Sequence, residues 1–106
     1  MKNNSKVSIV GGNGFSITCD NGLLVSVQFG KANHCDNGEF GSPLLRAMTC
    51  ANAEVHVSFE HDDSSHNWGE DTVQGYVPAD EVARLIGYCQ GWVIGTPFVF
   101  AVKFKK

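Results

Sequence analysis

Apolar and polar residues alternate along the first thirty positions of the chain, which is the pattern of half-buried β-strands. Residues 7–10 and 15–19 flank a glycine-rich turn and are predicted to form a hairpin. Residues 23–29 alternate in the same way after Asn21 and Gly22, a pair that tolerates the positive φ angles of a type I′ turn. The pattern predicts a three-stranded antiparallel meander.

The second half of the chain begins with an equally regular alternation. Residues 53–60 are predicted as a strand with one wet face, residues 61–71 as a polar loop, and residues 72–77 as a short extended piece. A helix is predicted over 78–90, where proline and acidic residues occupy the first turn and Gly91 follows the last. Residues 96–104 alternate again and are predicted as the last strand.

The predicted helix carries one apolar stripe, formed by Val82, Leu85, Ile86 and Cys89. This spacing suits packing on one face of a sheet. We therefore expect residues 1–106 to form a single α+β domain. In it, a mainly antiparallel sheet of about five or six strands is covered by a C-terminal amphipathic helix.

The chain has 106 residues, of which 42% are hydrophobic and 18% are charged. This composition is too apolar for an intrinsically disordered protein, and the length favours one core. A domain of this size buries only about 60–65% of the surface of its unfolded chain. A large enclosed cavity would weaken so small a core, so we expect a shallow site or one shared between subunits.

Nothing in the sequence approaches the length of a membrane span or the apolar core of a signal peptide, so we expect a cytoplasmic protein. The four cysteines at positions 19, 35, 50 and 89 match neither a disulfide framework nor the close pairs of a structural zinc site. We expect reduced thiols, with Cys19 and Cys89 in the core.

The formal net charge of −3 conceals an uneven distribution of charge. Five of the eight basic residues lie near the two ends, so residues 7–102 contain three basic and eleven acidic residues, a formal charge of −8. This excess of negative charge disfavours binding of nucleic acid along the body of the fold.

Three segments carry a resemblance to known proteins: NGLLVSVQFG at 21–30, NHCDN at 33–37 and TVQGYVPADEV at 72–82. Together they resemble a group of small bacteriophage and prophage accessory proteins. The resemblance implies a virus-encoded protein in the cytoplasm of an infected bacterium, where such proteins counter host defence by sequestering nucleotide signals or blocking effector proteins. It implies no catalytic residue.

Residues 30–50 are long for a connection in so small a domain, and such loops are usually functional or disordered. For a nucleotide-like ligand, amide side chains in this region could bind base or ribose edges, and basic side chains could bind phosphate. Aromatic rings elsewhere in the chain could stack on the base. Asparagine and aspartate are equally common as turn formers, and that interpretation stays open. The predicted ligand-binding residues are Lys31, Asn33, His34, Asn37, Arg46, Trp68, Tyr76 and Arg84. A symmetric homo-oligomer that combines Arg46 or Arg84 from neighbouring chains would help such a site.

The spacing of histidine, cysteine and acidic residues matches no common catalytic or metal-binding motif. His56, His61 and His66 recur at intervals of five near acidic residues, which matches neither a helical zinc pair nor a zinc finger. Cys35 and His34 are neighbours, and neighbours in an extended chain point in opposite directions. We therefore expect no enzyme, no cofactor and no native metal.

The sequence thus favours non-enzymatic binding of a small nucleotide-like signalling ligand. The alternative is an acidic inhibitor that binds a basic host protein, since the run from residue 60 to residue 71 is rich in carboxylates.

Overall fold

The computed structural model describes residues 5–10, 14–30, 33–36, 38, 49–59, 62–65 and 73–103, with only the backbone for residues 59 and 62–65. These residues contain an antiparallel six-stranded sheet with a C-terminal helix packed on it. The strands are β1 (Lys6–Val10), β2 (Gly14–Thr18), β3 (Leu23–Gln28), β4 (Asn52–Phe59), β5 (Asp62–Ser65) and β6 (Val73–Pro78), and the helix is α1 (Ala79–Gly91). The predicted α+β architecture is confirmed.

The sheet follows the order β1-β2-β3-β4, and both β5 and β6 then pair with β4. Because β3 occupies one edge of β4, the two later strands share the other edge. Strand β5 lies within residues 61–71, which the sequence predicted as loop throughout, so that prediction was wrong in part. The sequence DDSS has no apolar alternation to reveal a strand, and its pairing with β4 is made by the backbone.

The alternation of β3 and β4 is confirmed by burial, since every second side chain points into the core. Helix α1 packs chiefly on β3, β4 and β6, and its apolar stripe covers the buried face of these strands. The buried apolar residues of this cluster are Cys19, Leu23, Val25, Val27, Ala53, Val55, Val57, Val77, Val82, Leu85, Cys89, Trp92 and Phe100. As predicted, Cys19 and Cys89 belong to the core.

The turn between β2 and β3 also caps the helix. Asn21 donates through Nδ2 to the carbonyl oxygens of Cys89 at 2.7 Å and Trp92 at 2.8 Å, which satisfies groups left over at the helix end. Of the turn residues only Gly22 has positive φ, at 92°, so the predicted type I′ turn is wrong. Three residues link the strands instead, and Gly22 takes the left-handed position.

Helix α1 begins one residue later than predicted, at Ala79, and runs through Gly91. Pro78 precedes it, and the Ala79 amide donates to the Ala51 carbonyl at 3.0 Å, so backbone rather than a side chain satisfies this first amide. Asp80 is one of the two acidic residues in the first turn, where the helix dipole favours negative charge.

The predicted last strand over 96–104 is wrong, because the described residues 98–103 join no strand. They run along α1 as an extended segment, which we call the C-terminal strap. The Val99 amide donates to the Tyr88 hydroxyl at 2.7 Å, and the Lys103 amide donates to Glu81 at 2.6 Å. Side chains of α1 thus supply hydrogen-bond partners that a neighbouring strand would supply in a sheet. Alternate strap residues such as Phe100 pack against the core.

Candidate functional site

Residues 33–36 lie at the edge of the sheet where β3 ends and β4 begins, and Glu54 on β4 forms hydrogen bonds with them. Glu54 Oε1 accepts a hydrogen bond from Asn33 Nδ2 at 3.1 Å, and Oε2 lies 2.7 Å from His34 Nδ1 and accepts from the His34 amide at 3.3 Å. Asn33 Nδ2 also donates to Gln28 on β3 at 3.2 Å. One carboxylate on β4 therefore anchors two consecutive residues of the segment.

A bulge in β6 anchors the same segment from the neighbouring strand. Ala53 pairs with Val77 but Val55 pairs with Gln74, so two residues of β6, Gly75 and Tyr76, lie opposite Glu54 alone. The Tyr76 amide donates to the His34 carbonyl at 2.9 Å, and Tyr76 has a φ of 57°, which is uncommon for a residue with a side chain. The bulge therefore directs a backbone donor at the segment.

Cys35 and Asp36 complete the attachment. The Cys35 thiol is fully buried and donates to the Gly30 carbonyl at 3.6 Å, while the Asp36 amide donates to Asn52 Oδ1 at 2.8 Å. A buried thiol in a carbonyl contact packs as a small apolar group and is poorly placed for nucleophilic attack.

On the helix side of the same sheet end lies a cleft of about 270 Å³. It is lined mainly by apolar groups from β3, β4, the segment before β4 and the first turns of α1. The lining residues are Val27, Phe29, Thr49, Cys50, Asn52, Ala53, Ala79 and Val82.

Asn52 connects the cleft with the 33–36 segment. Its Oδ1 accepts from the Asp36 amide at 2.8 Å and from the Cys50 thiol at 3.8 Å. Within the described part of the chain, no hydrogen bond engages its Nδ2, which therefore has donors to offer a bound molecule. Apolar walls with a small number of polar groups at the edge are typical of small-ligand sites.

The structure brings three of the predicted ligand-binding residues together, namely Asn33, His34 and Tyr76. Arg84 lies instead on α1, where its guanidinium binds Glu81, stands 4.2 Å from the ring centroid of Phe100 and donates to a strap carbonyl. The other four, Lys31, Asn37, Arg46 and Trp68, lie outside the described residues.

The two predicted polar residues of the segment differ in what they can do. Both donor hydrogens of the Asn33 amide are used by Gln28 and Glu54, and its oxygen accepts from the Gly30 amide at 2.9 Å. This is the turn-forming role that the sequence left open, and it leaves Asn33 no donor hydrogen for a base edge. The His34 side chain is 78% exposed and stays accessible.

Glu54 and Asn52 were missed by the sequence interpretation. Glu54 was predicted to lie on the wet face of the 53–60 strand, and Asn52 lay just before the start predicted for that strand, which the structure places at Asn52. The signal that would have found them is the length of the 30–50 connection, because its polar first residues need partners where β3 ends and β4 begins.

Further chemistry at the sheet end is limited. Among the described residues, no group of three or more histidine, cysteine, aspartate or glutamate side chains is placed to hold a metal ion. Of the three histidines considered for metal, His56 lies on β4, and His61 and His66 fall outside the described residues. Side chains of the acidic run over 60–71 are likewise outside them. No described helix has the length and apolar character needed to cross a membrane.

Comparison of the chain with protein-family models, curated proteins and solved structures gave no match. The resemblance to bacteriophage proteins stays a prediction, and the function must be argued from the site itself.

Proposed function

We propose that the protein binds a small nucleotide-like ligand without transforming it, and that the base of this ligand enters the cleft at the start of α1. The cleft with Asn52 at its edge is the observation that carries this proposal. Apolar walls favour a flat ring, and the amide of Asn52 offers donors for a ring nitrogen or an exocyclic oxygen.

The size of the cleft limits the ligand. Pockets for drug-sized molecules span about 300–1,000 Å³, and this cleft has about 270 Å³. One base fits that volume, so sugar and phosphate would extend outward. The described lining contains no lysine or arginine, and Lys31 and Arg46, which lie between β3 and β4 in the sequence, are our candidates for the phosphate.

The biological role in this proposal is sequestration. A virus-encoded protein that holds a host signalling nucleotide in infected bacterial cytoplasm would counter defence without any catalysis. The alternative, an acidic inhibitor of a basic host protein, rests on the 60–71 run, whose side chains lie outside the described residues.

Isothermal titration calorimetry against nucleosides, mononucleotides, cyclic nucleotides and ADP-ribose tests the proposal. We expect binding heat from at least one of these compounds. Silence across the whole panel would contradict the proposed function.

Two matched variants then locate the binding site. Ala79→Leu fills the cleft from the first residue of α1, and we expect it to weaken binding at least about tenfold, or about 1.4 kcal/mol. Ala83→Leu makes the same change at an exposed position on α1 that does not line the cleft. Equal affinities for the two variants would place the ligand elsewhere.

Replacing Arg46 by alanine separates base from phosphate recognition. We expect nucleotide affinity to fall by about 1.5–3 kcal/mol, since charge-assisted hydrogen bonds are the stronger kind, while nucleoside affinity is unchanged. An unchanged nucleotide affinity would remove Arg46 from the site.

A further inference from the structure

The apolar face of the sheet continues beyond the area that the helix covers. Val7 lies opposite Ile17 and Ile9 lies opposite Phe15, and Ile17 lies opposite the buried Val25. Directly opposed residues of antiparallel strands point to the same face. Val7 and Ile9 therefore belong to the core face, yet they are 71% and 88% exposed, because α1 packs chiefly on β3, β4 and β6.

Strand β1 is also an edge of the sheet. It pairs with β2 on one side, and no described strand pairs with its other side. Exposed edge strands are usually protected by proline, charge or a covering element. The stretch from Val7 to Val10 has neither proline nor charge, no described strand covers its outer edge, and the side chains of Val7 and Ile9 are exposed.

We propose that β1 pairs with β1 of a second copy of this chain, in antiparallel orientation and centred on Ser8, so that two sheets join into one. In this register Val7 lies opposite Ile9 of the partner subunit, and Lys6 lies opposite Val10 of the partner subunit. All five residues of β1 are then paired, and the Val7 and Ile9 side chains from both copies meet on one face.

The charge pattern of β1 supports this register. The two Lys6 side chains stand four residues apart along the joined strands, about 14 Å at ~3.4 Å per residue, which exceeds the screening length of about 8 Å at physiological salt. A register centred on Val7 would halve that separation and oppose Ile9 to a serine. A shift by one residue would place Ile9 opposite Lys6 or Ser8 of the partner subunit and turn the two apolar faces to opposite sides of the joined sheet.

Sedimentation equilibrium and native mass spectrometry of the full chain test the association. We expect a dimer of the 11.5 kDa chain. Ile9→Lys should raise the dimer dissociation constant at least about tenfold, because it places an unpaired charge within the joined face. Val99→Lys, at a strap position that is 72% exposed, is the matched control and should leave the dimer unchanged.

Cysteine pairs then test the register. Opposed strand residues have Cα atoms about 4.5–5.5 Å apart, within disulfide range. Ser8→Cys should therefore form a disulfide between copies under mild oxidation. Lys6→Cys and Val10→Cys should each form none alone but should cross-link when mixed, and the wild-type protein gives the background from its own thiols.

A monomer at every accessible concentration, or a dimer that Ile9→Lys leaves intact, overturns the proposed interface. A dimer in which Ser8→Cys does not cross-link overturns the register. Circular dichroism of each variant confirms that the fold persists, which is expected because Val7, Ser8 and Ile9 are exposed.

Discussion

Glu54 Oε2 lies 2.7 Å from His34 Nδ1, and this contact ties an exposed imidazole to a mostly buried carboxylate. The same carboxylate accepts from the backbone amide of His34 and from the side chain of Asn33. It therefore does more than pair with a histidine, because it shapes the first residues of the long connection after β3.

Truncating the two partners should have unequal effects. His34→Ala should lower the free energy of unfolding by less than about 1 kcal/mol, since polar contacts of an exposed side chain contribute little. Glu54→Ala should cost about 1–3 kcal/mol, because it leaves one of the two Asn33 Nδ2 hydrogens and the His34 amide without an acceptor. Urea unfolding of both variants and the double variant at pH 7 measures the difference. Equal losses would show that the imidazole contact alone matters.

Gly75 is predicted to be required because β6 passes so close to the segment. A Cβ at this position would lie 2.7 Å from His34 Cβ and 3.0 Å from the His34 carbonyl oxygen. We expect Gly75→Ala to lower the free energy of unfolding by about 1–3 kcal/mol, the usual cost of overpacking.

Gly87→Ala provides the control for that prediction. Position 87 lies inside α1, and an added Cβ there has no atom within 4 Å. Because alanine favours helix, this change should raise the free energy of unfolding by about 0.5–1 kcal/mol. Thermal melts of both variants give the comparison, and a neutral Gly75→Ala would show that the segment can move away from the bulge.

The meander, β4 and the helix were predictable from sequence because their burial follows simple periods. Leu23, Val25 and Val27 alternate with partly exposed residues, and the α1 stripe follows the helical repeat. Local periodicity reports which face is buried, and one buried face is enough to define these elements.

The strap was mispredicted for a related reason. Phe98 and Phe100 alternate with exposed residues like a strand, but the same alternation satisfies an extended segment packed on a helix. What distinguishes the two is the partner of each backbone group, and here Glu81, Arg84 and Tyr88 supply those partners. Such pairings join residues 11–22 positions apart, which local pattern does not encode.

The site was only partly predictable for the same physical reason. Asn33, His34 and Tyr76 were singled out by residue type, and the structure brings them together. Their partners Glu54 and Asn52 depend on how the end of β3 meets the start of β4. No local pattern in either strand carries that information.

Glu81 should give the strap a stability that depends on pH. Hydrogen bonds from Arg84 and from the Lys103 amide hold the pKa of Glu81 at about 2, well below its ordinary value of 4.5. A carboxyl whose pKa is depressed on folding stabilises the protein above its unfolded pKa, and this stabilisation is lost as the pH falls toward the folded value. The contribution should therefore be complete above about pH 5 and vanish between about pH 4.5 and 2.

Chemical unfolding of the wild type and Glu81→Gln across this range measures the effect. The difference between their free energies of unfolding should shrink as the pH falls through the window. Arg84→Met keeps an apolar stem beside Phe100 but removes the guanidinium donors to Glu81. The pKa of Glu81 in the folded protein should then rise toward its ordinary value, and the pH range over which stability is lost should become narrower. A Glu81→Gln difference that persists unchanged to pH 2 would contradict the assigned role of Glu81.

Cys50 is predicted to be the one thiol of the four that reacts readily in the native protein. Cys19, Cys35 and Cys89 are buried, and burial, with a smaller effect from nearby Cys19, raises the pKa of Cys89 to about 12. Cys50 is partly exposed and lines the cleft. A thiol reacts as its thiolate and must be accessible to the reagent. A thiol-specific reagent should therefore label one cysteine per chain in the native wild-type protein and none in the native Cys50→Ser variant.

The same reagent also tests the cleft. A labelled Cys50 projects a bulky group into the space proposed for the base, so labelling should abolish ligand binding, and a bound ligand should slow labelling. The matched measurement is the labelling rate after denaturation, where all four thiols react and ligand should have no effect. Ligand binding that survives complete modification of Cys50 would place the binding site away from this cleft.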